Sequence, residues 1–111
     1  GNGSTSRDYT YVGDIVDGIK SSIKYVLEND NVYEIINLGN SNPVSLKDMI
    51  NTIGEVLNKE PKILELPMQP GDVEKTYADI TKAKKLLGYD PKTSFKEGIQ
   101  KFVEWYKNQE E

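Results

Sequence analysis

The chain has 111 residues, 36% of them hydrophobic and 29% charged, and it contains neither cysteine nor histidine. Within the chain, this excludes an imidazole base, a thiolate nucleophile, a disulfide and a zinc site built on these ligands. The net charge of −4 provides no positive field that would attract nucleic acid or an anionic membrane. No apolar run approaches the ~20 residues of a membrane span, so we expect a cytoplasmic protein without nucleic-acid or membrane partners.

The length fits one small domain over residues 1–111 with a single core. It is too short for a complete dinucleotide-binding domain together with a substrate domain. Because the chain does not begin with methionine, we expect an excised or processed piece of a longer protein. Residues 1–6 predict a flexible leader, and residues 108–111 predict a frayed tail.

The first third of the chain predicts a short strand and a long helix. The run 9–12 is β-prone, and the apolar residues after it recur at helical spacing from Ile15 to Leu27. Asp14 is the predicted N-cap of this helix, and the polar residues 29–31 break the pattern.

A second strand and a second helix follow. Residues 32–38 are mostly apolar, which predicts a well-buried strand that ends at Gly39. Ser45 and Asp48 have the spacing of a capping box, and one apolar stripe continues from there to Leu57. This stripe predicts an amphipathic helix packed on the core.

The last part of the chain predicts a loop and two helices. After a third candidate strand over 62–66, two prolines and a glycine within 67–73 predict an ordered loop. Asp79 is the predicted cap of a short helix that ends at Gly88, and a second capping-box pattern begins at Ser94. The order of elements predicts a small mixed α/β domain with a few short strands and about four helices.

Several short patterns carry little specific chemistry. None of the seven tyrosines is followed four residues later by a lysine, so the chain lacks the tyrosine base of short-chain dehydrogenases. Asp8, Asp14 and Asp17 could hold a hard cation or act as acid and base, but acidic residues at the start of a helix are common for structural reasons. We therefore predict no catalytic residue and no metal site.

The only arginine and one turn-rich loop carry the strongest binding signal. Arg7 directly precedes a predicted strand, where its guanidinium could hold a phosphate pair through two parallel hydrogen bonds. Asp72 follows a Pro-Gly corner that could present its carboxylate to vicinal ribose hydroxyls. From these residues alone an alternative is equally good, in which Arg7 pairs with a surface acid and Asp72 stabilises its own turn.

Five collinear stretches, residues 3–12, 36–39, 69–73, 77–79 and 87–89, resemble the C-terminal part of extended short-chain dehydrogenase/reductase enzymes. These are NAD-dependent nucleotide-sugar epimerases and dehydratases, and the UDP-glucuronate 4-epimerases are the closest type. The resemblance covers nearly the whole chain. It implies the substrate-binding portion of that fold without its NAD-binding Rossmann domain.

The resemblance also implies a division of labour. NAD and the catalytic tyrosine and lysine would belong to an N-terminal domain outside this chain, so the fragment would hold no cofactor and would be inactive alone. By position, Arg7 would contact the diphosphate of a UDP-sugar, and Asp72 would contact the ribose hydroxyls. Gln69 and Lys75 would border the same pocket, and Tyr9 would help to pack it. The resemblance implies two partners, the UDP-sugar and the missing NAD-binding domain. A homodimer is a separate expectation, from the strand edge that residues 32–38 could leave bare.

Two alternatives to an epimerase fragment remain from the sequence. One is a fragment of a dehydratase or decarboxylase of the same family. The other is a non-catalytic domain that associates with itself, because residues 32–38 could leave a bare strand edge. Lys75 stands where uronate epimerases often have arginine, and lysine keeps the charge without the planar fork.

Overall fold

Four helices and a two-stranded sheet form the part of the chain that the computed structural model describes, residues 5–62, 64 and 75–109. In chain order the elements are β1 (Ser6–Arg7), α1 (Val12–Glu28), β2 (Val44–Ser45), α2 (Leu46–Leu57), α3 (Thr81–Leu87) and α4 (Phe95–Gln109). β1 and β2 pair antiparallel, with Ser6 opposite Ser45 and Arg7 opposite Val44. The mixed α/β class and the four helices are confirmed.

The first strand lies earlier in the chain than predicted. Residues 9–11 belong to no strand, and α1 has begun by residue 12, so the prediction of a strand over 9–12 is wrong. Ser6, by contrast, pairs with Ser45 and also forms a parallel bridge with Lys75. The carbonyl of Thr5 accepts a hydrogen bond from the amide of Leu46 at 2.7 Å. Ser6, which the sequence assigned to a flexible leader, therefore belongs to the sheet, and Thr5 is hydrogen-bonded to the first residue of α2.

The start of α1 differs from the prediction because of a contact with a distant loop. Tyr11 is the N-cap, and its carbonyl accepts from the amide of Asp14 at 3.0 Å. Asp14 lies in the first turn and is buried, and its carboxylate accepts from the amides of Lys92 (3.4 Å) and Thr93 (3.1 Å). Asp14 is therefore not the cap of α1; it fastens the loop before α4 to this helix.

The predicted strand over 32–38 has no strand partner among the described residues. Its side chains still alternate: Ile36 and Leu38 pack on the core, whereas Tyr33 and Ile35 are 90% and 77% exposed. A strand needs a neighbouring backbone as well as alternating side chains. The prediction of a well-buried strand is wrong for this chain because the described residues provide no such neighbour.

The core is small and lies between α1 and α3. Its buried apolar side chains are Ile80, Ala83 and Tyr89. The face of α1 that lies toward this core carries its two buried residues, Asp14 and Gly18. Gly18 lies next to Leu38 and Tyr89. The Cα radius of gyration is 17.1 Å, compared with ~13 Å for a compact domain of this length. The chain therefore buries less of its apolar surface than its composition would allow.

The opposite face of α1 is a line of exposed aliphatic side chains, which we call the α1 seam. Its members are Val12, Val16, Ile19, Ile23, Val26 and Leu27, and each is between 41% and 80% exposed. The first five follow one another at steps of four and three residues, the spacing of a helix-packing face. The predicted amphipathic stripe of α1 exists, but it faces away from the described core.

The predicted helix caps are mostly confirmed. The amide of Asp48 donates to Ser45 Oγ at 3.0 Å, and the amide of Glu97 donates to Ser94 Oγ at 3.2 Å. Gly88 ends α3 in the left-handed conformation, with φ of 66°. These caps satisfy amides and carbonyls that have no partner within a helix.

The remaining helix ends show two smaller differences. Asp79 accepts from the side chain and the amide of Thr81, at 2.6 and 3.0 Å, and these bonds lower the pKa of Asp79. The N-cap of α3 is Ile80, so Asp79 lies one residue before the cap that it was predicted to be. α4 continues to Gln109, so residues 108 and 109 of the predicted frayed tail are helical. No described helix is both long and apolar enough to cross a membrane.

Candidate functional site

Arg7 is held at the end of β1. Its backbone pairs with Val44, it is half-buried, and its Nη1 donates to the carbonyl of Ser6 at 2.8 Å. Among the described residues it forms no ion pair. A guanidinium has five N–H donors, so most of them are not used by these contacts. The alternative in which Arg7 pairs with a surface acid finds no support in the described part of the chain.

Lys75 approaches β1 through its backbone. It bridges to Ser6, and the amide of Thr76 donates to the Ser6 carbonyl at 3.1 Å. Its ammonium lies 5.7 Å from the ring centroid of Tyr77, and the side chain is exposed. Because Ser6 and not Arg7 is its partner in register, strand alternation directs Arg7 and Lys75 to opposite faces. The structure brings their backbones together, and the register separates their side chains.

Tyr9 packs on the first turn of α4. Its ring centroid is 5.5 Å from that of Phe95, in a tilted arrangement. Two residues later, the ring of Tyr11 lies 4.9 Å from the ammonium of Lys101. The segment after Arg7 is therefore held against α4 by the rings of Tyr9 and Tyr11.

Two predicted site residues, Gln69 and Asp72, lie outside the described residues, as does the predicted loop that carries them. Their roles stay predictions. The three aspartates weighed as a cation site do not gather: over 5–62, 64 and 75–109, no three acidic side chains are grouped so that they could hold a metal ion. The described site therefore consists of Arg7, with Tyr9 and Lys75 as neighbours of its strand.

Two clefts of the described part lie away from these residues. An open cleft of about 410 Å³ is found at the C-terminal end of α2, lined by residues between 51 and 61. A second cleft of about 280 Å³ lies between α1 and the 88–92 loop and is lined partly by Asp14, Asp17 and Asp90. Neither of these two clefts is lined by Arg7, Tyr9 or Lys75.

Asp8 is the residue of this region that sequence reasoning missed. Its carboxylate accepts three backbone hydrogen bonds, from Asn40 at 3.2 Å and from Ser41 and Ala78 at 2.9 Å each. The partners are 32, 33 and 70 residues away in sequence. No local pattern could have shown this, although the Gly39 turn was a signal for close backbone approach.

The turn at Gly39 is also fixed from the core side. The hydroxyl of Tyr89 donates to the buried carbonyl of Gly39 at 2.7 Å. Burial of the phenol, together with the nearby carboxylates of Asp14 and Asp8, raises the pKa of Tyr89 above its ordinary value of 10.0. The phenol therefore remains a hydrogen-bond donor at neutral pH, which keeps the turn attached to the core.

The described residues do not fit a dinucleotide. A dinucleotide fold binds pyrophosphate on a glycine-rich turn between a strand and a helix. In the described part, the strand that leads directly into a helix is β2, and its junction with α2 at Ser45–Leu46 contains no glycine.

The sequence and the fold match a known class of protein. The family model for GDP-mannose 4,6-dehydratases matches residues 1–102. The chain belongs to this family, and the resemblance to extended short-chain dehydrogenase/reductase enzymes of nucleotide-sugar metabolism is confirmed.

Two relatives are similar to nearly the whole of this chain. An uncharacterised protein of Methanocaldococcus jannaschii is 51% identical over 104 residues, which are 94% of this chain and 31% of that protein. A UDP-glucuronate 4-epimerase of Thermodesulfobacterium geofontis is 41% identical over 108 residues, 96% of this chain and 32% of the enzyme.

A solved structure shows the same fold. It is a mutant UDP-glucuronic acid 4-epimerase from Bacillus cereus in complex with UDP-4-deoxy-4-fluoro-glucuronic acid and NAD. Its similarity has a TM-score of 0.87 at 30% identity and covers 97% of this chain and 34% of that one. The chain thus spans about a third of the length of the relatives it matches.

Proposed function

We propose that this chain is the UDP-sugar-binding portion of an NAD-dependent nucleotide-sugar 4-epimerase. The observation that carries the proposal is the state of Arg7: a half-buried guanidinium on a paired strand, with no ion pair among the described residues. Such a group suits bidentate binding of a diphosphate. Support also comes from the 41% identity to a UDP-glucuronate 4-epimerase.

In this proposal each predicted site residue has one role. Arg7 binds the diphosphate, and Asp72 accepts hydrogen bonds from the ribose hydroxyls. Gln69 and Lys75 border the pocket, while Tyr9 packs beneath it on Phe95. Lys75 contributes a point charge, and the register of its bridge with Ser6 makes it a weaker candidate for the phosphates than Arg7.

The chain contributes binding and orientation to the reaction and no chemical step. NAD supplies the hydride chemistry of such epimerases, and the rest of the parent protein would hold it together with the catalytic tyrosine and lysine. This agrees with the absence of a Tyr/Lys pair at the required spacing in the sequence. We therefore expect no turnover of a UDP-sugar by the 111-residue chain alone, with or without added NAD.

The partner that supplies those groups would cover the α1 seam. The exposed fractions of the six seam residues add up to about three and a half fully exposed aliphatic residues. Covering them completely would contribute about 5–10 kcal/mol before the cost of association, at ~1.5–3 kcal/mol for each fully buried aliphatic side chain. A helix that buries its polar face and exposes this much apolar surface is suited to packing against another protein body.

Self-association through the same surface is the second candidate function. The spacing of the seam would suit a second copy, and so would residues 32–38, which have no strand partner among the described residues. Sedimentation of the chain over a concentration series tests whether a second copy covers the seam. Reversible dimers that Ile19→Lys dissociates, while the neighbouring exposed Lys20→Ala leaves them intact, would favour self-association. A monomer at every concentration would exclude it.

Nucleotide titration of the ¹⁵N-labelled chain tests the main proposal. We expect UDP to shift backbone amide signals around Arg7, and uridine to bind more weakly because it lacks the diphosphate. Arg7→Ala should weaken UDP binding about 10- to 100-fold, as loss of hydrogen bonds to a charged group costs ~1.5–3 kcal/mol. Lys20→Ala, an exposed cation on α1, is the matched control and should bind as the wild type does.

The same titration tests which nucleotide base the chain prefers, because the matching family model describes enzymes of GDP-mannose. Preference for GDP over UDP would favour the dehydratase alternative. Absence of any UDP shift, or equal UDP affinity in Arg7→Ala and wild type, would contradict the assignment of the diphosphate to Arg7.

A further inference from the structure

The carboxylate of Asp8 joins three segments that are far apart in sequence. Oδ1 accepts from the amide of Asn40, and Oδ2 accepts from the amides of Ser41 and Ala78. Hydrogen bonds to an ionised acceptor are about twice as strong as neutral ones. Three of them on one half-buried side chain make Asp8 a fixed point between β1, the turn at 39–41 and the segment that begins at Lys75.

The turn is shaped to allow this approach. A Cβ atom at Gly39 would lie 2.8 Å from Asp8 Oδ2 and 2.6 Å from the Cβ of Ala78. Contacts under 3.0 Å are not tolerated by a side chain, so only glycine leaves room for the carboxylate and Ala78 together. The Tyr89 hydroxyl holds the same residue from the other side, at 2.7 Å from its carbonyl.

Arg7 depends on this fixed point because its own strand is short. β1 is two residues long, and residues 9–11 beyond it belong to no strand. The pairing with Val44 fixes Arg7 on one side. Asp8 follows directly and fixes the backbone on the other, and through Ala78 it also sets β1 against the segment that carries Lys75.

We propose that Asp8 is a positioning residue of the nucleotide site: it does not contact the ligand but holds Arg7 in the place from which it binds the diphosphate. The inference goes beyond the proposed function and rests on it only for the identity of the ligand. Its distinguishing property is that loss of the Asp8 contacts should loosen the Arg7 side chain before any ligand is added.

The lone arginine provides a readout of that property. Because Arg7 is the only arginine, its Nε–Hε group gives a single NMR signal, and the ¹⁵N relaxation of that signal measures the order of the guanidinium. Asp8→Asn keeps the size of the side chain but presents an amide in place of one acceptor oxygen. We expect the amide signals of Asn40, Ser41 and Ala78 to move and the order of the Arg7 signal to fall.

Asp14→Asn is the matched control. Asp14 also accepts two backbone bonds across a long separation, from Lys92 and Thr93, but it holds a different loop. It should leave the Arg7 signal as ordered as in the wild type. If Asp8→Asn does not fold, as judged by far-UV circular dichroism, Asp8→Glu keeps the charge, lengthens the side chain and should change the Arg7 signal in the same direction.

A second measurement uses UDP itself. Asp8→Asn should weaken UDP binding at least about tenfold, which corresponds to ~1.4 kcal/mol, while Asp14→Asn should stay within a factor of about two. If wild-type chain does not bind UDP, the proposed function fails, but the order of the Arg7 signal still tests the positioning role. The positioning role is overturned if the Arg7 signal is as ordered in the Asp8 variants as in the wild type, or if both aspartate variants loosen it equally.

Discussion

One hydroxyl group links the small core to the turn at Gly39, and its removal gives a defined loss of stability. Tyr89 is 5% exposed, and its hydroxyl donates to the buried carbonyl of Gly39 at 2.7 Å. Tyr89→Phe keeps the ring in the core and leaves that carbonyl without its donor. An unsatisfied buried acceptor costs ~1–3 kcal/mol, so we expect the free energy of unfolding at neutral pH to fall by that amount.

The same substitution should change how stability depends on pH. Burial, with Asp14 and Asp8 nearby, raises the pKa of Tyr89 in the folded chain above 10.0. At a pH between the pKa of Tyr89 in the unfolded chain and its pKa in the folded chain, the phenol is ionised in the unfolded chain and protonated in the folded chain. The contribution of Tyr89 to stability is therefore complete below pH 10.0 and is lost as the pH rises through the folded pKa. The difference in the free energy of unfolding between wild type and Tyr89→Phe should therefore become smaller above pH 10.0.

Urea unfolding followed by far-UV circular dichroism, at neutral pH and at several values above 10.0, measures both effects. Tyrosinate absorbance against pH provides an independent check, because Tyr89→Phe should remove the phenol that ionises above 10.0. Tyr33→Phe, at a side chain that is 90% exposed, is the control and should leave stability and that phenol unchanged. Equal stability of Tyr89→Phe and wild type at neutral pH, or a difference that does not narrow at high pH, would refute the reasoning.

Further substitutions test the helix contacts by thermal or urea unfolding. Gly18→Ala places a Cβ 2.8 Å from Leu38 and 3.1 Å from Tyr89, and overpacking of ~1–3 kcal/mol should exceed the gain of ~1 kcal/mol in helix propensity. Gly98→Ala is its control: the nearest atom lies at 3.7 Å, so it should stabilise the chain by up to ~1 kcal/mol, and destabilisation would contradict this account. Ser45→Ala removes the N-cap of α2 and should cost ~1 kcal/mol; an unchanged midpoint would show that the cap is not needed.

Local chemistry explains what the sequence predicted correctly. Ser45 and Ser94 were recognisable as caps because the amide that each binds lies three residues later, and Gly88 was recognisable because the left-handed end of a helix favours glycine. Arg7 stands out in the composition as the only arginine. Its role toward a diphosphate comes from the family resemblance and stays a prediction.

Long-range contacts explain what the sequence did not predict. Aspartate is a typical N-cap residue, but the carboxylate of Asp14 accepts hydrogen bonds from two amides that are 78 and 79 residues away. The run 32–38 has the alternation of a strand, but pairing needs a second backbone that the described residues do not provide. Asp8 was weighed only as a possible acid or cation ligand, because nothing near it in sequence indicates its three partners.

The reach of the two aspartate anchors has a consequence for how the chain acquires its structure. Helices form from contacts within a few residues and on fast timescales, whereas contacts between distant residues first require a long loop to close. The bond from Asp8 to Ala78 closes 70 residues, and the bonds from Asp14 close 78 and 79. During synthesis, Arg7 emerges long before Ala78 does, so its surroundings can be completed only when most of the chain is present. The surroundings of Arg7 are therefore expected to be among the last parts of the chain to become ordered. An early stop in translation before Ala78 would leave Arg7 without the Asp8–Ala78 contact.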